Sequence, residues 1–97
     1  MAAKQPGHAA FHAIVIGRVQ GVGYRYSAVR VARARGITGA VANRADGNVD
    51  VQAEGSMPDL EHFLEWLRRG PPGAHVRDVQ VEWIPWNGRF QGFEVEF

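Results

Sequence analysis

The sequence contains no cysteine among its 97 residues. A disulfide, a thiolate metal site and a cysteine nucleophile are therefore excluded. No apolar run reaches the roughly 18 residues of a membrane-spanning helix, and residues 1–10 lack the apolar segment of a signal peptide. These absences favour a soluble, cytoplasmic protein without a membrane partner. We expect residues 1–9 to form a flexible N-terminal tail and residues 10–97 to form one domain.

Acidic residues are absent from the first 45 positions. Residues 1–45 carry seven lysines and arginines and no acid, whereas residues 46–97 carry four arginines and ten acids. The overall charge of +1 hides this asymmetry. A basic segment attracts anions through its field, so we expect an anion-binding site in the first half. Three of its arginines, Arg30, Arg33 and Arg35, are interpreted instead as the solvated face of a helix.

The run GRVQGVGYR at residues 17–25 places three glycines and two arginines between an apolar strand and a helix. Glycine allows successive backbone N–H groups to converge, and the N-terminus of a helix adds unpaired donors and positive partial charge. Such a concave surface favours a phosphate or a carboxylate. Arg25 ends the run with a planar, permanently charged group that matches phosphate oxygens. The pattern indicates a site for a small phosphorylated molecule.

Two common nucleotide motifs do not fit this run. A P-loop requires a lysine, which the run lacks, and the dinucleotide motif requires a third glycine where Tyr26 stands. The four histidines show no spacing typical of a metal site, so no metal is expected.

Hydrophobic periodicity predicts a series of strands and helices. Gly36 ends the first helix, an Asp-Gly pair forms a hairpin turn, and Ser56 caps the second helix before its apolar stripe. The predicted strands lie at residues 11–16, 37–43, 48–54, 79–83 and 93–97. The first helix lies at residues 24–35, and the second begins after Ser56 and is ended by residues 68–72.

This arrangement is interpreted as the order βαββαβ. That order is typical of the α+β ferredoxin-like sandwich, in which an antiparallel sheet carries both helices on one face. The fold alone says little about function, because the same scaffold hosts RNA-binding modules, metal-binding domains and enzymes.

Two motifs resemble the signatures of the acylphosphatase family. Residues 17–25 match its first pattern, Gly-x-Val-Gln-Gly-Val-x-Phe-Arg, with Tyr24 in place of the usual phenylalanine. Residues 39–43, GAVAN, with later glycines and a valine, match the second, except that Ala40 replaces an aromatic residue. We expect Ala40 to alter local packing, at a cost in stability or substrate fit. The resemblance covers residues 9–97 and identifies residues 10–97 as an acylphosphatase-like domain.

The resemblance implies an enzyme, a hydrolase acting on acid anhydrides, that cleaves acyl phosphates to a carboxylate and inorganic phosphate. It implies that Arg25 binds the phosphoryl group and Asn43 positions the attacking water. The backbone amides of the loop would complete the substrate site, at Gln20, Gly21, Val22, Gly23 and Tyr24. A carboxylate leaves without help from an acid, so neither metal nor cofactor is expected. Phosphate is expected to be product and inhibitor, and the protein to be monomeric.

Two other functions stay open as alternatives. An RNA-binding module is suggested by residues 89–97, which faintly resemble a basic and aromatic RNA-binding motif. The segment carries two glutamates, which repel phosphate, so a nucleic-acid partner is not expected. A non-catalytic anion-binding domain is the second alternative.

Two residues also have structural alternatives. Arg25 could neutralise the carboxylate of Phe97. Asn43 could form the turn before Asp46 and Gly47, since asparagine favours turns.

Overall fold

The computed structural model describes residues 7–97 and shows two helices packed on one face of a five-stranded sheet. Residues 1–6 of the predicted tail lie outside the described residues, whereas His8 and Ala9 belong to the first strand. The elements follow the order β1 (His8–Arg18), α1 (Tyr24–Ala34), β2 (Thr38–Asn43), β3 (Val49–Ser56), α2 (Met57–Arg69), β4 (His75–Ile84) and β5 (Phe93–Glu96).

The directions of the strands place three strand ends together. Across the sheet the order is β4-β1-β3-β2-β5. Strand β3 is antiparallel to both β1 and β2, and β5 is parallel to β2. The C-terminal ends of β1, β2 and β5 therefore lie at the same end of the sheet. We call this end, marked by Arg18, Asn43 and Glu96, the loop end.

The predicted ferredoxin-like fold is confirmed, but the chain has one more strand than the predicted order βαββαβ, and the sheet is mixed and not fully antiparallel. Residues 85–92 carry the chain from β4, at one edge, to β5, at the other. The chain consequently enters β5 in the same direction as β2, with Phe93 beside Gly39. Strands β1 and β4 are longer than predicted because their pairing with each other continues to Arg18 and His75.

The hydrophobic core lies between the sheet and the helices. Alternate residues of β1 and β3 point into it, as the alternating sequence predicts. The apolar stripe predicted for α2 is buried there as well, through Leu60, Phe63, Leu64 and Leu67. The Ser56 side chain accepts a hydrogen bond from the Asp59 N–H at 3.3 Å, which confirms Ser56 as the cap of α2.

The far end of the sheet is closed by residues 85–92. Glu54, on β3, is 4% exposed, and its Oε2 accepts a hydrogen bond from the Asn87 N–H at 3.2 Å. Arg89 contacts the side chain of Gln52 on the same strand. These contacts hold the crossing segment against the sheet and so fix where β5 begins.

Gly39 is needed where β2 lies closest to β3. Its φ is +152°, and a Cβ added there would lie 1.9 Å from the backbone oxygen of Gln52. The neighbouring Ala40 is buried between Gln52 and Glu94 in the strand register. The predicted packing cost of Ala40 stays a prediction.

We expect Gly39→Ala to lower the free energy of unfolding by about 3 kcal/mol or more, because backbone strain and a steric clash combine. Gly36→Ala is the matched control, because Gly36 has a φ of +68° but open space around its Cβ position. That control is expected to cost only about 1 to 2 kcal/mol of backbone strain. Urea denaturation measures both values, and equal losses would contradict the role assigned to the Gly39–Gln52 approach.

Candidate functional site

The loop between β1 and α1, residues 19–23, is shaped by two glycines. Gly21 and Gly23 have φ values of +79° and +76°, a region that disfavours side chains. Val19 anchors the loop from below with a side chain that is 1% exposed. Val22 packs its side chain against the core, so it can offer a ligand only its backbone. The loop is thus a backbone surface held by two apolar anchors.

The N-terminus of α1 continues this surface. Gly23 precedes the helix without a side-chain cap, and the first turn contains no acid. The first helical hydrogen bond runs from the Ser27 N–H to the Gly23 carbonyl at 3.0 Å, so the N–H groups of residues 24–26 have no intrahelical acceptor. Unpaired donors and the helix dipole both favour an anion at this point.

The side chain of Tyr24 points away from this surface. It is 1% exposed, and its hydroxyl donates a hydrogen bond to the Leu67 carbonyl at 2.6 Å. Burial raises the pKa of Tyr24 far above its usual value, so the hydroxyl stays protonated at neutral pH. Tyr24 therefore joins the start of α1 to the end of α2, and only its backbone faces the loop.

Arg25 follows in the first turn of α1 and is partly buried. Its guanidinium lies over the ring of Phe97, 5.4 Å from the ring centre. Within residues 7–97 Arg25 forms no ion pair, so the alternative that it neutralises the Phe97 carboxylate is wrong for this structure. The aromatic contact orients the cation and leaves its hydrogen-bond donors available.

Gln20 ties the loop to the turn between β2 and β3. Its side-chain amide donates hydrogen bonds to the carbonyls of Arg44, at 2.8 Å, and Asn48, at 2.9 Å. The Asn48 side chain in turn accepts from the Gly17 N–H at 3.4 Å. The side chain of Gln20 is therefore occupied, and its backbone is the part that can meet a ligand. Arg44 and Asn48 are positioning residues that the sequence did not reveal.

Asn43 is the last residue of β2 and is exposed at the loop end. In the part of the chain that the structure describes, its side chain makes no hydrogen bond. The turn after it is closed by other groups. The Arg44 N–H donates to the Asn48 carbonyl at 2.9 Å, and the Asn48 N–H donates to Asp46 at 3.0 Å. The Asn43 side chain is thus not required for the turn.

The turn is also stabilised by charge. The backbone hydrogen bond from Asn48, aided by Arg44, holds the pKa of Asp46 below its ordinary value. Arg44 contacts Asp46 at 3.1 Å and Asp50 at 3.6 Å. Asn43 therefore sits at the start of a turn fixed by several independent contacts.

The predicted site residues meet at one place because three strands end there. The loop follows the end of β1, Asn43 ends β2, and Phe97 follows β5. Since Ala42 pairs with Glu96, Asn43 and Phe97 are neighbours across the β2–β5 pair. Arg25 lies above Phe97, so the arginine, the asparagine and the loop all lie at the loop end.

Two of the histidines, His8 and His12, lie away from the loop end. His12, on the open face of the sheet, contacts Asp50 at 2.9 Å, and His8 stacks on Trp86. Among residues 7–97 no three metal-ligating side chains come together. Neither described helix is long and apolar enough to cross a membrane.

The chain was compared with known proteins. The family model described as "Acylphosphatase" matches residues 11–95. An acylphosphatase of Bordetella parapertussis is 54% identical over 71 residues, which cover 73% of this chain and 76% of the relative. An acylphosphatase of Cupriavidus pinatubonensis is 47% identical over 88% of this chain and 92% of its own length. The structure of an acylphosphatase from Coxiella burnetii has a TM-score of 0.90 and 34% identity, and it covers 99% of this chain and 100% of its own.

We expect Gln20→Ala to lower the free energy of unfolding by about 1 to 2 kcal/mol, because two hydrogen bonds between the loop and the turn are lost. Gln91→Ala is the control, since Gln91 is exposed and its side chain makes no hydrogen bond within residues 7–97. Urea denaturation of both variants measures the difference. An equally small loss in the two would show that the Gln20 bonds do not stabilise the loop.

Proposed function

Because the chain belongs to the acylphosphatase family and is a hydrolase acting on acid anhydrides, we propose that acyl phosphates are cleaved at its loop end. The observation that carries this assignment is that Arg25 forms no ion pair within residues 7–97 and lies in the first turn of α1, which has no side-chain cap and contains no acid. The proposal takes every site residue from one chain and includes a monomeric enzyme.

Arg25 and the loop backbone bind the phosphoryl group in this proposal. The N–H groups over residues 20–25 face the anion, and the arginine supplies a planar pair of donors. Charge that develops on the phosphoryl oxygens during the reaction meets donors that are already in place. Inorganic phosphate offers the same oxygens, so it binds there as the product and as a competitive inhibitor.

Asn43 holds the attacking water. Its side-chain amide can accept one hydrogen bond from water and donate another, and it is exposed at the end of β2, at the loop end. Asparagine is neutral and does not remove a proton, so its contribution is position. Holding the nucleophile in line with the bond that breaks is a large part of catalysis in phosphoryl transfer.

The reaction itself needs little more from the protein. The water oxygen forms a bond to phosphorus, and the bond between phosphorus and the acyl oxygen breaks. The electron pair leaves on the carboxylate, which is weakly basic and needs no proton. The proton of the water passes to a phosphoryl oxygen, so the products are a carboxylate and dihydrogen phosphate. No side chain of the site is required as an acid.

Phe93 argues against the RNA-binding alternative. It is fully buried and packs edge-on against Phe63, on the helix side of the sheet. Glu94 and Glu96, its neighbours in β5, are exposed. The ring of Phe93 is therefore unavailable for stacking on a base, and the segment carries charge that repels phosphates.

We expect Arg25→Lys to reduce kcat/KM for benzoyl phosphate by about 100-fold or more, nearly as much as Arg25→Ala, because a point charge does not replace a planar pair of donors. Arg30→Lys, an exposed arginine on the same helix, is the control and should retain activity. A lysine variant close to the wild type would overturn the role of Arg25.

We expect Asn43→Ala to lower kcat for benzoyl phosphate by about 100-fold, with excess chelator present, while inorganic phosphate still inhibits with an unchanged constant. The physical reason is that the water loses its position and the phosphoryl site stays intact. Asn87→Ala, at the far end of the sheet, is the control. Circular dichroism verifies folding, and parallel losses of turnover and phosphate inhibition would show that Asn43 belongs to the phosphate site.

A further inference from the structure

A second basic surface lies next to the proposed phosphoryl site. A cleft of about 440 Å³ opens at the loop end between β1 and β4, and Gly17, Arg18, His75 and Arg77 line it. Arg18 directly precedes the loop. His75 begins β4, after a turn in which Gly73 lies close to the side chain of Val22. Three of the four lining residues carry nitrogen donors, and no acid lines the cleft. We call it the basic cleft.

The cleft is formed by an irregularity in strand pairing. Ile16 pairs with Asp78, but the next residue, Gly17, pairs with Val76, so Arg77 is an extra residue in β4. Such bulges turn a side chain away from its regular direction and are frequent near active sites. Gly17 permits the close approach, because a Cβ there would lie 2.1 Å from the His75 carbonyl oxygen.

The cations of the basic cleft are not neutralised. Within residues 7–97, Arg18, His75 and Arg77 form neither an ion pair nor a side-chain hydrogen bond. Arg33, Arg35 and Arg44 differ in this respect, since each of these three arginines contacts a carboxylate. Two unpaired guanidinium groups beside one cavity attract an anion.

The departing acyl group is expected to point from the phosphoryl site toward the basic cleft. In phosphoryl transfer the attacking water and the leaving carboxylate lie on opposite sides of the phosphorus atom. Asn43, which holds the water in the proposed function, ends β2. In the sheet, β2 and β4 lie on opposite sides of β1, whose end carries the loop. An acyl group that departs opposite to Asn43 therefore points toward the side of β4, where the basic cleft opens.

We propose that the basic cleft binds a negatively charged group on the acyl part of the substrate, so that the enzyme prefers acyl phosphates with an anionic acyl chain. This inference rests on the proposed function and adds the substrate class. Arg18 and Arg77 determine specificity and do not touch the reacting atoms. His75 completes the cleft with a ring that can donate a hydrogen bond to the same anion.

The test compares two substrates that differ in one charge, benzoyl phosphate and 4-carboxybenzoyl phosphate. In the wild type, kcat/KM is expected to be about tenfold higher for the carboxylated substrate at low ionic strength. Arg18→Gln and Arg77→Gln are each expected to lower that ratio about three- to fivefold. The matched control is Arg30→Gln, which removes a charge from the exposed face of α1 and is expected to keep the ratio.

Two further readouts separate the cleft from a general effect of charge. Added salt should reduce the ratio in the wild type more than in the Arg77→Gln variant, because exposed charges are screened. In the Arg18→Gln and Arg77→Gln variants, the inhibition constant of inorganic phosphate should change less than the ratio of the two kcat/KM values, since phosphate binds at the loop. Equal changes in phosphate inhibition and in the ratio would overturn the inference.

The possible failures are distinguishable. If the wild type hydrolyses both substrates with similar kcat/KM values, the cleft is not a substrate subsite and the proposed function stands. If Arg30→Gln lowers the ratio as much as Arg77→Gln, the effect belongs to the overall field and the inference is wrong. If the wild type hydrolyses neither substrate, the proposed function fails and the inference fails with it.

Discussion

The parallel alignment of β1, β2 and β5 is the constraint on which the site depends. Because these strands end at one end of the sheet, the loop, Asn43 and Phe97 meet there although they are far apart in sequence. Residues 85–92 make this possible by crossing from one edge of the sheet to the other, held by Glu54. The core keeps the register, because a shift by one residue would turn its side chains to the wrong face.

The arginines of the chain differ in the groups that they contact. Arg33, Arg35 and Arg44 contact carboxylates, and exposed pairs of this kind contribute little to stability. Arg25 contacts an aromatic ring instead, which orients the guanidinium without neutralising it. The scarcity of acids in the first half of the chain leaves such cations unpaired at the loop end. In the proposed function their charge binds an anion.

The proposed chemistry explains why so few groups are sufficient. In the proposed mechanism the acyl group departs as a weakly basic carboxylate, so the reaction needs no acid. The protein has only to stabilise charge on the phosphoryl oxygens and to position the water. A rigid backbone loop suits the first task, and Gln20 fixes that loop to the turn beside Asn43. In the proposed mechanism no residue holds the acyl chain, and the inferred preference among substrates depends on the basic cleft.

The sequence by itself determined the element types, the core stripe of α2, the glycine loop and the family, because these follow from local periodicity, from backbone freedom and from adjacent residues. It also placed Arg25 and Asn43 in their motifs. Only the tertiary structure decided that β5 runs parallel to β2, that Phe97 lies beneath Arg25 and that the Gln20 side chain is occupied by two carbonyls. Those contacts join residues more than 20 positions apart. The order of the strands in the sheet decides which residues meet, and a local sequence pattern does not contain that order.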